Sequence, residues 1–234
     1  MQLLNLSTAV SPLMVYDTFM ANREKMAIGE YYHIYNRGVD KRSIVKGSKD
    51  ADRFIQSLEF FNSKTPVSSL RQGMSSERDQ KPLVEVVCYC LNHNHFHLLM
   101  KEIQEGGISE FMKRLGGGYT WYFNNKYHRS GALFQGVFKS THITSNEQLL
   151  HVSAYVGLNW KVHKIRGETA VNVRSSWNEY LGKSHHSLCS KNIILGQFRS
   201  VREYKEFAES SLKHMLRVKI DKDNPEMLVG RYLL

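Results

Sequence analysis

Two β-type runs lie only three residues apart: residues 83–91 (LVEVVCYCL) and residues 95–103 (HFHLLMKEI), with Asn92, His93 and Asn94 between them. Apolar runs joined by so short a polar turn predict an antiparallel hairpin. That hairpin constrains everything around it. Upstream, residues 31–39 (YYHIYNRGV) are rich in β-formers and read as a strand. Residues 50–61 carry Phe54, Ile55, Leu58 and Phe61 at helical spacing, with Asp50 as the expected N-cap. Residues 63–82 are polar, with two prolines, and read as a long loop. Downstream, the pattern predicts a helix over 108–126, perturbed at the glycines 116–118, and a strand over 133–143. A further helix is expected from Ser145, a good N-cap, to about residue 165. The order β-α-β-β-α-β-α predicts an α+β fold: a ferredoxin-like, RRM-like split βαβ antiparallel sheet with helices on one face. A helix over 201–216 belongs to a C-terminal helical extension. Residues 1–28 are expected to form an N-terminal extension, 29–182 the main domain and 183–234 the C-terminal helical region.

Composition narrows the function classes. The chain has 234 residues and a net charge of +10, so an anionic partner is expected, nucleic acid before a membrane surface. No apolar run approaches the roughly 18 residues of a membrane span, and no secretory leader is read at the N-terminus. Three cysteines, Cys88, Cys90 and Cys189, make no disulfide framework, and a cytoplasmic location is expected. The charge is concentrated. Residues 111–166 hold Lys113, Arg114, Lys126, Arg129, Lys139, Lys161, Lys164 and Arg166 against a single acid, Glu147. Tyr119, Trp121, Tyr122, Phe123, Tyr127, Phe134 and Phe138 are interleaved with them. Cations beside aromatic faces suit a single nucleic-acid strand; the same aromatics also suit a helix core. Arg37, Lys113, Arg114, Lys126, Arg129, Lys139 and Lys161 are the candidate DNA contacts.

Strand periodicity points His95 and His97 to one face and Phe96 and Leu98 to the other. Two imidazoles about 7 Å apart along a strand can converge on one divalent cation. On the downstream helix, Tyr155 and Asn159 are four residues apart and share a face with His151. Asn159 offers an oxygen ligand and Tyr155 a nucleophilic hydroxyl, or simply a half-buried helix tyrosine. Two imidazoles, an amide oxygen and phosphate oxygens suit Mg²⁺ or Mn²⁺ better than structural Zn²⁺.

These residues resemble a family. Asn94-His95-Phe96-His97-Leu98-Leu99 is similar to the His-hydrophobic-His (HUH) motif of the IS200-like, single-tyrosine transposases, closest to their REP-associated branch. Tyr35-Asn36-Arg37-Gly38 resembles the strand-one NRG signature. YTWYFNNKYHRSGALFQG over 119–136 resembles the segment ending in LFQG, and Tyr155-Val156-Gly157-Leu158-Asn159 the catalytic helix. Ser175-Ser176-Trp177 with Tyr180-Leu181-Gly182 resembles a downstream landmark. His93 and Trp160 stand where the family often has Pro. The resemblance implies metal-dependent cleavage and strand transfer of single-stranded or hairpin DNA. Tyr155 would form a 5′-phosphotyrosine link, and His95, His97 and Asn159 would hold Mg²⁺ or Mn²⁺. It also implies a monomer or homodimer, with no membrane partner. The same sheet and basic helix would equally serve a non-catalytic module binding structured DNA or RNA. A hydrolase that releases both ends is a third reading.

Overall fold

The computed structural model describes residues 25–64, 81–163, 165, 167–184 and 187–223. Residues 1–24, most of the expected loop over 63–82, and Lys164 and Arg166 lie outside them. Strand β1 (Tyr31–Arg37) is followed by α1 (Ser48–Phe60), β2 (Val84–Leu91), β3 (His95–Glu102) and α2 (Gly107–Lys126). Then come β4 (Lys139–Ile143), α3 (Asn146–Gly157), the single turn α4 (Asn159–Val162), a short β5 (Arg174–Ser175) and α5 (Trp177–Tyr180). The turn α6 (Asn192–Leu195) and the long α7 (Val201–Asp223) close the described chain. The sheet is antiparallel throughout, in the order β4-β1-β3-β2-β5. This is the ferredoxin-like α+β sheet expected from the element order, with β5 added at one edge.

Helices α1 and α2 cover one face. Phe54 of α1 meets Phe96 of β3 at a ring separation of 5.3 Å and Tyr119 of α2 at 5.0 Å. Ile34, Phe96 and Leu98 are completely or almost completely buried there. The opposite face also carries a helix. α3 lies across β2 and β3, and α7 lies against α3. Cys189, Ile194, Tyr204 and Ala208 belong to the same buried cluster as the sheet, so the packing runs on across residue 182. The Tyr204 hydroxyl lies 3.3 Å from Ser153 Oγ of α3, and its ring packs on Tyr180. His151 Nδ1 bonds Ser211 Oγ at 3.1 Å. His151 therefore serves the α3–α7 contact.

Several boundaries differ from the sequence reading, each for a physical reason. α1 starts at Ser48 after Gly47; Asp50 is inside the first turn and fully buried. Its carboxylate reaches back to the Lys46 N–H at 2.9 Å, as acids at this position do. It also accepts from Tyr122 at 3.0 Å, Tyr127 at 2.7 Å and Lys126. α2 runs unbroken through its three glycines. The buried stripe Leu115, Tyr119 and Phe123 outweighs a helix cost of about 1 kcal/mol per Gly. Gly118 is required by closeness: a Cβ there would come within 2.4 Å of the Phe61 ring. The fourth strand is shorter than expected, only Lys139–Ile143. Residues 133–138 instead turn back on β1. Phe134 bridges to Gly38, and Gly136 takes a positive φ of 66°. The helix expected to reach residue 165 breaks at Leu158, where Gly157's carbonyl accepts the Ser175 hydroxyl at 2.6 Å.

Burial alone would raise the Asp50 pKa, but Lys126, Tyr127, the Lys46 amide and Tyr122 together hold it below the ordinary carboxylate value. The resulting stabilisation is complete above the unfolded pKa and is lost as pH falls through the folded one. Asp50→Asn is predicted to cost about 3 kcal/mol at pH 7, the low end for breaking a buried pair because Lys126 is partly exposed. Urea unfolding checks this, and the gap between variant and parent should narrow below about pH 4.

Candidate active site

The β1–β3 register builds the site. Tyr35 stands opposite His97 and Arg37 opposite His95, and directly paired residues share a sheet face. β1 therefore contributes His33, Tyr35 and Arg37 to the face that carries the two expected histidines. A register shift between Val86 and Cys88 in β2 sets Cys90 opposite His97 on the same face. α3 lies over this face and brings Tyr155 down. The Tyr155 ring meets His97 edge-on at 5.5 Å and His33 edge-on at 5.8 Å.

His95 and Asn159 converge. His95 Nε2 lies 3.1 Å from Asn159 Oδ1. The Asn92 amide nitrogen sits between them, 2.7 Å from each. Two lone pairs thus share one N–H₂ donor. On its other side, His95 Nδ1 meets Asn94 Oδ1 at 2.7 Å. His97 Nδ1 faces His33 Nε2 at 2.9 Å, with the two rings side by side in nearly parallel planes and their centroids 5.1 Å apart. Asn159 is wholly buried, and His33 and His97 nearly so.

Burial governs the protonation states. It pushes the His33 pKa down to about 3. Burial, helped by the neighbouring His163, lowers His95 to about 4. Burial with His33 and His95 holds His97 well below its ordinary value. All three rings are neutral near pH 7, the state in which imidazole has a lone pair to offer a cation. Burial raises Tyr155 to about 12, with the neighbouring Asn159 amide acting in the opposite direction.

Among the described residues, no group of three His, Cys, Asp or Glu side chains forms a metal cluster. The donor set is instead two imidazoles and one amide oxygen. It fits a hard-to-borderline divalent cation whose remaining positions are filled by water or phosphate. The Asn92 amide nitrogen lies where the lone pairs of His95 Nε2 and Asn159 Oδ1 converge.

The seven expected DNA contacts separate. Arg37 and Lys139 are exposed, and the pairing of Tyr35 with Lys139 puts Lys139 on the histidine face beside Arg37. Lys161, just past Asn159, is half-buried with its ammonium 5.4 Å from the Trp160 ring. Lys113 is exposed on α2, across the sheet from the histidines. The other three are structural. Lys126 pairs with buried Asp50. Arg114, 15% exposed, bonds Glu110 and the Ser63 carbonyl. Arg129 braces Asn124 and the Ala132 carbonyl. The interleaved aromatics are mostly core; only Trp121 is strongly exposed.

Sequence reasoning missed His33, Asn92 and Tyr35. Alternation within YYHIYNRGV puts His33 and Tyr35 on one face, and that signal was present. Only the pairing of β1 with β3 says that this is the histidine face. Asn92 looked like a turn residue, yet it is completely buried. The NRG and LFQG landmarks have structural roles: Arg37 bonds Gln135, and Asn36 donates to the Gly136 carbonyl at 3.1 Å.

No helix among the described residues is long and apolar enough to cross a membrane. No curated protein matches the chain. Among solved structures, the chain is similar to a REP-associated tyrosine transposase bound to a REP hairpin. That match has 11% identity and a TM-score of 0.45, covering 73% of this chain and 90% of the other. The sequence model of the family described as "Transposase IS200 like" matches residues 30–159. This stretch is more than half of the chain; it opens just before β1 and closes on Asn159, and the chain belongs to the IS200-like transposase family.

Proposed function

We propose that this transposase cleaves and rejoins single-stranded, hairpin-bearing DNA with Tyr155 as its nucleophile. The observation that carries the reading is the meeting, within one chain, of Tyr155 with His97 and of Asn159 with His95 on one sheet face. The Tyr155 oxygen attacks a backbone phosphorus. The P–O3′ bond breaks, the phenol proton is lost, and the departing 3′-oxygen is protonated as a free hydroxyl. The 5′-phosphotyrosine ester that remains retains the phosphodiester energy, so a second 3′-hydroxyl can reverse the step on another strand.

His95, His97 and Asn159 are the residues that would hold Mg²⁺ or Mn²⁺. Such a cation supplies Lewis-acid polarisation of a phosphate oxygen and offsets the charge that develops on it. Arg37 and Lys139 receive flanking phosphates. The packed rings of His33 and His97 fix the direction from which the Tyr155 hydroxyl is presented. The neighbouring Asn159 amide opposes part of the burial penalty on the phenolate.

Incubating the protein with labelled hairpin-bearing single-stranded DNA and Mn²⁺ should give a covalent adduct that resists denaturation. Tyr155→Phe should abolish it. An adduct of the same yield from that variant removes Tyr155 from the mechanism. Binding without adduct in any metal supports a non-catalytic module instead. Because Tyr155 titrates near 12, the phenolate fraction grows about tenfold per pH unit between pH 7 and 10. Single-turnover cleavage should rise with that slope, and a flat profile contradicts rate-limiting use of the phenolate. Lys139→Gln should reduce the salt dependence of DNA binding by about 0.7 in log–log slope, the value for one phosphate of a single strand. Arg114→Gln should leave that slope unchanged.

A further inference from the structure

His33 and His97 make a buried polar contact beside Tyr155. His33 is 1% exposed in the middle of β1, with its Nε2 2.9 Å from His97 Nδ1. The rings lie nearly parallel, 16° apart. Tyr35 stacks against both, at 5.1 Å from His33 and 5.8 Å from His97. Tyr155 closes the fourth side, edge-on to both imidazoles. His97 is thereby held between three aromatic neighbours, and its Nδ1 is hydrogen-bonded to His33.

A neutral imidazole carries one N–H, and the His33–His97 contact needs one proton between its two nitrogens. Two arrangements satisfy it. If His33 Nε2 carries the proton, His97 accepts at Nδ1 and its own proton sits on Nε2, which then has no lone pair. If His97 Nδ1 carries it, His33 accepts and His97 Nε2 is free. His95 has no such ambiguity. Its Nδ1 meets Asn94 Oδ1, an atom that only accepts. The Asn94 amide is oriented by its own donation to the Lys41 carbonyl at 3.1 Å. His95 is thus fixed as an Nδ1–H tautomer whose Nε2 lone pair accepts from the Asn92 amide beside Asn159.

We propose that His33 is a positioning residue of the cation site: it accepts the Nδ1–H of His97 and so holds His97 in the tautomer whose Nε2 has a free lone pair. The proposal rests on the reading of His97 as a cation ligand. The physical role is that of an outer partner which fixes a ligand's tautomer and ring orientation and raises its basicity. Most such partners are carboxylates or carbonyls; here a second imidazole supplies the acceptor within a dry aromatic stack, adding no charge beside the ligand.

The test is Mn²⁺ affinity, followed by electron paramagnetic resonance titration of the full chain without DNA. His33→Phe keeps the stack and removes the acceptor; it should weaken Mn²⁺ binding roughly tenfold to a hundredfold. His33→Gln puts a carbonyl oxygen near the place of Nε2 and should restore most of that loss. In the unaltered protein with Mg²⁺, ¹⁵N spectra should find the His97 proton on Nδ1, coupled across the hydrogen bond to His33 Nε2. The spectra need no variant, so they decide the matter even if His33→Phe fails to fold. If His33→Phe binds Mn²⁺ as tightly as the parent while His97→Ala does not bind, the role of His33 is refuted and the cation reading stands. If His97→Ala binds Mn²⁺ like the parent, the cation reading itself fails and this proposal fails with it. A proton found on His97 Nε2 in the Mg²⁺ form also overturns it.

Discussion

The pairing of β1 with β3 is the constraint on which the rest of the molecule depends. Side-chain direction in a strand has a period of two, so a slip of one residue would turn the whole of β1 over. In the observed register, Tyr35 faces His97 and Arg37 faces His95. His33, one step further along the same face, then reaches His97 diagonally and bonds it. The alternate residues Tyr32 and Ile34 are committed to the other face, where Ile34 is buried beneath α1 and α2. The apolar half of β1 thus pins the polar half in place. The register is locked again at its end, where Gly38 donates to the Asn94 carbonyl at 2.8 Å and Ile44 to the His93 carbonyl at 2.7 Å.

The second requirement is that a helix be held over this polar face. This helix contributes buried Leu149, Ala154 and Val156 of its own to the packing. The structure supplies further grip from behind. Ser153 and His151 of α3 contact Tyr204 and Ser211 of α7, and Gly157 lies against Trp177. The C-terminal segment therefore packs against the tyrosine helix from behind. The break at Leu158 keeps the four-residue relation of Tyr155 to Asn159 while starting a new turn at Asn159. Asn159 then lies level with His95 as Tyr155 packs on His97.

Much of this was legible in the sequence because the signals were local. The hairpin turn, the HxH alternation, the Ser145 cap, which accepts the Gln148 N–H at 3.1 Å, and the spacing of Tyr155 and Asn159 each depend on a few adjacent residues. What was not legible depended on distant pairings. Lys126, Arg114 and Arg129 look like any other exposed cation until Asp50, Ser63 and Asn124 are brought beside them. Asp50 looks like a cap because nothing local reveals the two tyrosines and the lysine that converge on it from α2. His33 looks like an ordinary strand residue for the same reason. Sheet register, and not sequence proximity, decides which cations share the histidine face.

The central claim is that one face of the sheet holds a cation between His95, His97 and Asn159, with Tyr155 beside it. Crystals of the Tyr155→Phe chain with hairpin-bearing single-stranded DNA and Mn²⁺, measured at the manganese absorption edge, test it most directly. The account predicts one anomalous peak bound by His95, His97 and Asn159, with a backbone phosphate oxygen on the same ion. A peak elsewhere, or bound DNA whose phosphates stay clear of these three residues, would contradict it.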